Sequence, residues 1–177
     1  MHQDIDKILL SRIEIEAKTI ELALQLENDY ADKQPILVGL LKGSMMFMAD
    51  LMKHLDFDLQ IDFIDVSSYD GAVSTGDVKI VKDLDISVRK RHVIIVEDIV
   101  DTGRTLEKVI ELFKNREALS VEMVTMLDKP ASRVAPIAAK YVGFTIPKSF
   151  VVGYGLDYNE KYRNLPYVGI LKQSVYS

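Results

Sequence analysis

The spacing of apolar and polar positions changes repeatedly along the chain, and each change predicts an element. A short apolar stretch at Ile8, Leu9 and Leu10 leads into Ser11 and Glu14, which stand at capping-box spacing and can satisfy orphan amides at a helix start. Ile13, Ala17, Ile20 and Leu24 then recur at helical spacing, predicting an amphipathic helix that ends between Asn28 and Asp32. After Pro35 the pattern becomes a nearly continuous apolar run over 36–41. Its shortness and its bounding turn residues predict a strand buried on both faces. Lys42, Gly43 and Ser44 close that strand, and a helix is predicted over 44–54.

Further strands are predicted over 59–66, 78–81, 92–96, 121–127, 141–144, 150–152 and 168–171. The segment from Ser67 to Gly76 is polar and punctuated by glycine, so it is read as a mobile loop. Leu106, Val109, Ile110 and Phe113 restore helical periodicity. Strands alternating with helices imply right-handed crossovers, a mostly parallel sheet flanked by helices, and ligands beyond the carboxyl ends of the strands. The expectation is one α/β domain over residues 1–177, with a small appendage built from the two chain ends.

At 177 residues the chain is long enough to bury a sizeable core, and its composition of 48% apolar and 28% charged residues excludes a disordered chain. The net charge of −5 disfavours nonspecific binding to a polyanion, so any phosphate site must be local. There is no cysteine, which removes thiolate nucleophiles, disulfides and sulfur-ligated metals, and His2, His54 and His92 are too scattered for a histidine-rich metal site. Any catalysis falls to carboxylates, lysines or a bound hard cation. The first ten residues lack a basic segment followed by an apolar core, and no stretch approaches the ~18–20 apolar residues that span a bilayer. A cytoplasmic location without membrane association is expected.

The most informative segment is Val96-Glu97-Asp98-Ile99-Val100-Asp101-Thr102-Gly103-Arg104-Thr105. Its three carboxylates are expected immediately after a buried strand, where their repulsion needs a polar or cationic partner. Thr102 to Thr105 lead into a helix, so backbone amides and two hydroxyls can converge on an anion while Gly103 permits close approach. Acids beside an anion nest suit a sugar phosphate, with carboxylates accepting from vicinal hydroxyls and the nest holding a 5′-phosphate. The bland alternative is an acidic strand end followed by an ordinary turn and helix cap. Neither a Walker A motif nor Gly-x-Gly-x-x-Gly is present, which argues against a P-loop nucleotidase or a Rossmann dehydrogenase.

This segment resembles the signature of type I phosphoribosyltransferases, which use 5-phosphoribosyl-1-pyrophosphate. The resemblance extends to Leu41-Lys42-Gly43-Ser44, Ser68-Tyr69 with Ser74-Thr75-Gly76-Asp77, Leu127-Asp128-Lys129-Pro130, and Phe150 through Tyr158 with Arg163. Their order is similar to that of the hypoxanthine-guanine branch, of bacterial type. The resemblance implies a phosphoribosyltransferase fold with a catalytic loop at about 67–77 and a base-binding hood at about 148–177. It places pyrophosphate on Lys42, Gly43, Ser68, Tyr69 and Arg163, and the 5′-phosphate on Asp101, Thr102, Gly103, Arg104 and Thr105. Glu97 and Asp98 would hold the ribose diol, and Asp101 would be the general acid/base. Lys129 would read the purine 6-oxo group, Phe150 would stack on the base, Val151 would read its edge through backbone groups, and Asp157 would complete that end of the site. Mg²⁺ is the implied cofactor, with Glu97, Asp98 and Asp157 as its candidate carboxylates. In the family the peptide joining the residues that match Leu41 and Lys42 can be cis, which the sequence alone does not show.

The implied reaction is reversible transfer to hypoxanthine giving IMP and pyrophosphate, with guanine giving GMP. A xanthine-guanine-preferring transferase and a non-catalytic nucleotide sensor on the same fold are the alternatives. Nucleic-acid binding is not expected, and a homo-dimer or homo-tetramer is. Met45, Met46, Phe47 and Met48 could serve either an interface or the core.

Overall fold

A computed structural model describes residues 1–68 and 78–176. In chain order it contains β1 (Ile5–Leu10), α1 (Arg12–Tyr30), β2 (Ile36–Leu40), α2 (Met45–Met52), β3 (Gln60–Ser68), β4 (Val78–Lys82) and β5 (His92–Val100). It continues with α3 (Arg104–Asn115), β6 (Ser120–Asp128), β7 (Tyr141–Thr145), β8 (Val151–Val152), β9 (Val168–Leu171) and α4 (Gln173–Tyr176). Among the described residues the strands form a six-stranded sheet, ordered β4-β3-β2-β5-β6-β7, and a three-stranded sheet, β1-β9-β8. In the larger sheet only β4 runs antiparallel to its neighbour. This is the expected α/β architecture, with the smaller sheet joining both chain ends.

The alternation along the central strands explains the two-sided core. Leu37, Ile94 and Val96 pack with Leu22, Leu26, Phe47 and Leu51 of α1 and α2, while Ile36, Val38, Val93 and Ile95 pack with Val109 and Phe113 of α3. Burying each of these large side chains contributes roughly 1.5–3 kcal/mol. The sheet's carboxyl edge therefore sits between helices anchored on opposite faces.

Ser11 caps α1 as expected, accepting from the Glu14 amide at 3.3 Å while Glu14 accepts from the Ser11 amide at 2.8 Å. The helix presents a different face from the one its apolar spacing suggested. Ile13 is 78% exposed and Leu24 61%, and the buried positions are Ile15, Thr19, Leu22, Ala23, Leu26 and Tyr30. The chain carries two apolar stripes at helical spacing, and the second meets the sheet. Thr19 is tolerated inside because its hydroxyl donates to the Ile15 carbonyl at 2.8 Å.

β5 also departs from expectation, continuing four residues past Val96. Glu97 pairs with Thr125, Ile99 with Leu127 and Val100 with Asp128, because β6 runs on alongside and supplies ladder partners. Glu97 and Asp98 therefore lie within the strand rather than after it. In α2, Phe47 and Met48 are buried while Met45 is 51% exposed, so the methionine-rich stretch divides between core and surface.

Candidate active site

The ends of β2, β5 and β6 bring three turns together along the carboxyl edge of the sheet. At β2 the Leu41–Lys42 peptide is cis, and Gly43 follows. A Cβ on Gly43 would lie 1.8 Å from Asp98 Oδ2, and one on Gly155, whose φ is +99°, would lie 2.0 Å from the Gly43 carbonyl oxygen. The β2 turn is thus a bare backbone segment held between the β5 acids and the Gly153–Gly155 turn, and no side chain fits at Gly43 without displacing the carboxylate.

Within β5, Glu97 Oε2 is shut away from solvent with no hydrogen-bond partner. Burial, then the neighbouring Asp98 charge, pushes the Glu97 carboxyl well above the usual carboxylate range. Burial also raises Asp98, against the opposing effect of its hydrogen bonds with Glu97 and the Ile99 amide. A buried acid pair with an orphaned oxygen is matched to an incoming hydroxyl donor or hard cation. Among the described residues, no group of three or more His, Cys, Asp or Glu is arranged to hold a metal ion. The two carboxylates are hard oxygen donors of the kind that suit Mg²⁺, an ion that keeps water and substrate oxygens among its ligands. The Asp157 carboxylate contacts Arg163 at 2.9 Å and accepts from the Glu160 amide at 2.9 Å.

Asp101 and Lys129, at the ends of β5 and β6, are brought together as an ion pair 2.9 Å apart. Gly103 has φ +80° and caps α3, a left-handed conformation that suits glycine. From there the first-turn amides of α3, which have no intrahelical acceptors, face outward with the hydroxyl-bearing Thr102 and Thr105 beside them. The Thr102 carbonyl accepts from the amides of Val134 at 2.9 Å and Ala135 at 3.0 Å. Arg133 lies beneath the same loop.

Lys42 and Arg163, far apart in sequence, meet at one carboxylate. Glu160 Oε2 is 3.1 Å from Lys42 Nζ, and Oε1 is 3.4 Å from Arg163 Nη2. The Lys42 ammonium holds the Glu160 carboxyl below its usual range. Arg163 also donates to the Gly155 carbonyl at 2.8 Å, and its Nε is buried without a partner. Two cations meeting at Glu160, with Asp157 also on Arg163, place positive charge where a larger anion can compete for it.

Phe150, 39% exposed, stacks on Tyr176 with ring centroids 4.8 Å apart and meets Tyr158 edge-on at 5.6 Å. Val151 is buried in β8, opposite Ile170. Ser68 ends β3, and Tyr69 with the rest of the expected catalytic loop to Asp77 lies outside the described residues.

Three participants in this arrangement were missed in the sequence: Arg133, Glu160 and Tyr176. Arg133 and Glu160 lie within or beside quoted motifs, but their contacts depend on segments brought together only by the sheet. Tyr176 carried no local signal beyond being aromatic.

Residues 7–159 match the family profile described as "Phosphoribosyl transferase domain". The hypoxanthine-guanine phosphoribosyltransferase of Bacillus subtilis (strain 168) is 55% identical over 177 residues, 99% of this chain and 98% of that protein. That of Streptococcus mutans is 56% identical over 178 residues, 100% of this chain and 99% of its own. A crystal structure of a hypoxanthine phosphoribosyltransferase from Staphylococcus aureus superposes with a TM-score of 0.97 at 54% identity, covering 100% of this chain and 97% of that one. Similarity along the whole chain, over a fold whose strand ends gather an acid pair, an anion nest and two cations, leads to one conclusion: the chain is an enzyme of the phosphoribosyltransferase family.

Proposed function

We propose that the protein catalyses the reversible, Mg²⁺-dependent transfer of a 5-phosphoribosyl group from 5-phosphoribosyl-1-pyrophosphate to N9 of hypoxanthine, giving IMP and pyrophosphate. Guanine serves as a second acceptor, giving GMP, so the reaction belongs to purine salvage. The observation that carries this reading is the Asp101–Lys129 pair, which sets a proton acceptor and a hydrogen-bond donor side by side at the start of the turn that leads into α3.

In this reading the bond between the anomeric carbon and the pyrophosphate oxygen breaks, and its electron pair leaves with pyrophosphate. N9 supplies the pair for the new bond, and the imidazole proton passes to the Asp101 carboxylate. Lys42, Arg163 and the Gly43 backbone bind the departing anion. Glu97 and Asp98 accept from the ribose hydroxyls and orient the anomeric carbon. The amides and hydroxyls from Thr102 to Thr105, with Arg104, hold the 5′-phosphate. Lys129 donates to the 6-oxo group, Phe150 stacks on the base and Val151 meets its edge. Mg²⁺, when bound, neutralises charge on the leaving group, and Glu97 and Asp98 are the residues that would hold it with substrate oxygens. Asp157, whose carboxylate also contacts the Arg163 guanidinium, is the third carboxylate that would reach the ion, through water.

Residues 1–177 are read as one domain, with the base-binding hood over about 148–177. A cytoplasmic homo-dimer or homo-tetramer, without nucleic acid or membrane, completes the reading. The exposed Ile13, Leu24 and Met45 offer apolar surface for self-association, and no helix among the described residues is long and apolar enough to cross a membrane. Initial rates with the donor, Mg²⁺ and each of hypoxanthine, guanine and xanthine test the proposal. IMP and GMP formation is expected, whereas no nucleotide from any base would overturn it.

A further inference from the structure

We propose that Arg133 is a positioning residue that turns the backbone of the 5′-phosphate nest toward its ligand. This inference rests on the transferase reading of the same site. Arg133 Nε donates to the Asp101 carbonyl at 3.0 Å, Nη1 to the Ile137 carbonyl at 2.8 Å and Nη2 to the Val100 carbonyl at 3.1 Å. The same Nη2 meets the Asp128 carboxylate. Its side chain is only 15% exposed, and a Cβ on Gly103 would come within 3.1 Å of its Cδ. The guanidinium therefore lies under the loop and ties it to the end of β6 and to the segment before β7.

The consequence follows from the planar trans peptide, in which the carbonyl and the following N–H point in opposite directions. Holding the Asp101 carbonyl down onto Arg133 turns the Thr102 N–H the other way. The Val134 and Ala135 amides hold the Thr102 carbonyl in turn, which orients the Gly103 N–H. Arg133 and its two following amides thus set two successive donors of the nest without touching the phosphate. The Val100 carbonyl also accepts from the Lys129 amide at 3.0 Å, so the clamp holds the strand end that carries the base-reading lysine. A planar fork reaching four acceptors from different segments cannot be reproduced by lysine, whose ammonium is a point donor on a flexible stem.

The test compares IMP with inosine, which lacks the 5′-phosphate, by titration calorimetry on the full-length protein and on Arg133→Lys. The ratio of inosine Kd to IMP Kd isolates what the nest contributes, whereas a merely structural lesion weakens both ligands together. In Arg133→Lys this ratio is expected to fall by about tenfold or more, with inosine affinity held within about threefold, as suits loss of donors to a charged group. An unchanged ratio in the folded variant overturns the proposal. If Arg133→Lys does not fold, Asp128→Asn is decisive: it keeps the guanidinium and weakens its acidic clamp. A reduced ratio there supports the proposal and an unchanged one overturns it. Wild-type protein that shows no preference for IMP over inosine would instead refute the transferase reading of the nest.

Discussion

Lys129 directs its ammonium at Asp101, with Nζ 2.9 Å from Oδ2, although the two residues close neighbouring strands rather than one. Lys129 follows β6 and Asp101 follows β5, and the parallel pairing of Val100 with Asp128 sets their separation. In the proposed reaction a purine carrying a 6-oxo group and an imidazole N–H replaces both halves of the contact, the oxygen facing Lys129 and the nitrogen facing Asp101.

Replacing Asp101 with Asn keeps the size of the side chain and removes its capacity to take a proton. Turnover is expected to fall by about 10²–10⁴, the usual worth of a positioned acid/base. The KM for the phosphoribosyl donor is expected to stay within about threefold, since the donor's charge is held elsewhere. Steady-state kinetics with hypoxanthine as acceptor checks the split, and unchanged turnover removes Asp101 from proton transfer.

Gly43→Ala tests the closeness of the β2 turn to the acids. The added methyl would sit 1.8 Å from Asp98 Oδ2, so the carboxylate or the turn has to move. Because misplacing a reacting group by about 1 Å can cost on the order of 10²-fold, a loss of that size in kcat/KM is expected. A melting temperature close to wild type, measured beside the kinetics, would separate displacement of the site from unfolding.

Glu160→Gln removes the carboxylate shared by Lys42 and Arg163. Exposed ion pairs of this kind are worth only about 0.2–1 kcal/mol. Freeing Lys42, and leaving Arg163 only its contact with Asp157, is therefore expected to tighten pyrophosphate binding by a small factor, about two- to fivefold. Titration of inorganic pyrophosphate measures the change, and weaker binding would show that Glu160 helps form the anion site rather than competing for it.

Glu97 gives a pH dependence with a definite sign. Its folded-state carboxyl lies well above its ordinary value of 4.5, chiefly through burial. The folded protein therefore binds its proton more tightly than the unfolded chain does. The corresponding stability is fully present below 4.5 and is lost as pH rises through the raised folded value. In chelator, the melting temperature should carry a component that falls over this window, and Glu97→Gln should remove it. Added Mg²⁺ with donor should flatten it by stabilising the ionised pair. A melting profile identical in wild type and Glu97→Gln would show that the pair does not hold a proton in the folded state.

Much of the fold was legible because its signals are local. The capping box at Ser11 and Glu14, the apolar runs of β2 and β6, and the glycine ahead of α3 act on neighbours along the chain, and each lies where its pattern indicated. The face of α1 was not legible, since two apolar stripes compete there and only contact with the sheet selects the one containing Leu22 and Leu26. The end of β5 was misjudged for a related reason. Acidic residues argue against a strand locally, yet β6 continues beside them and supplies their ladder partners.

The amino-acid sequence on its own determined the alternation of strands and helices, the acidic turn with its glycine, and the residue types that suit a sugar phosphate. These depend on periodicity and on backbone preferences spanning a few residues. Tertiary structure decided that Lys129 meets Asp101, that Glu160 joins Lys42 to Arg163, and that Arg133 braces the nest from below. Such encounters depend on strand order and parallel register, which place distant segments within hydrogen-bonding reach. Only assembly of the open six-stranded sheet and its burial against helices on both faces establish them.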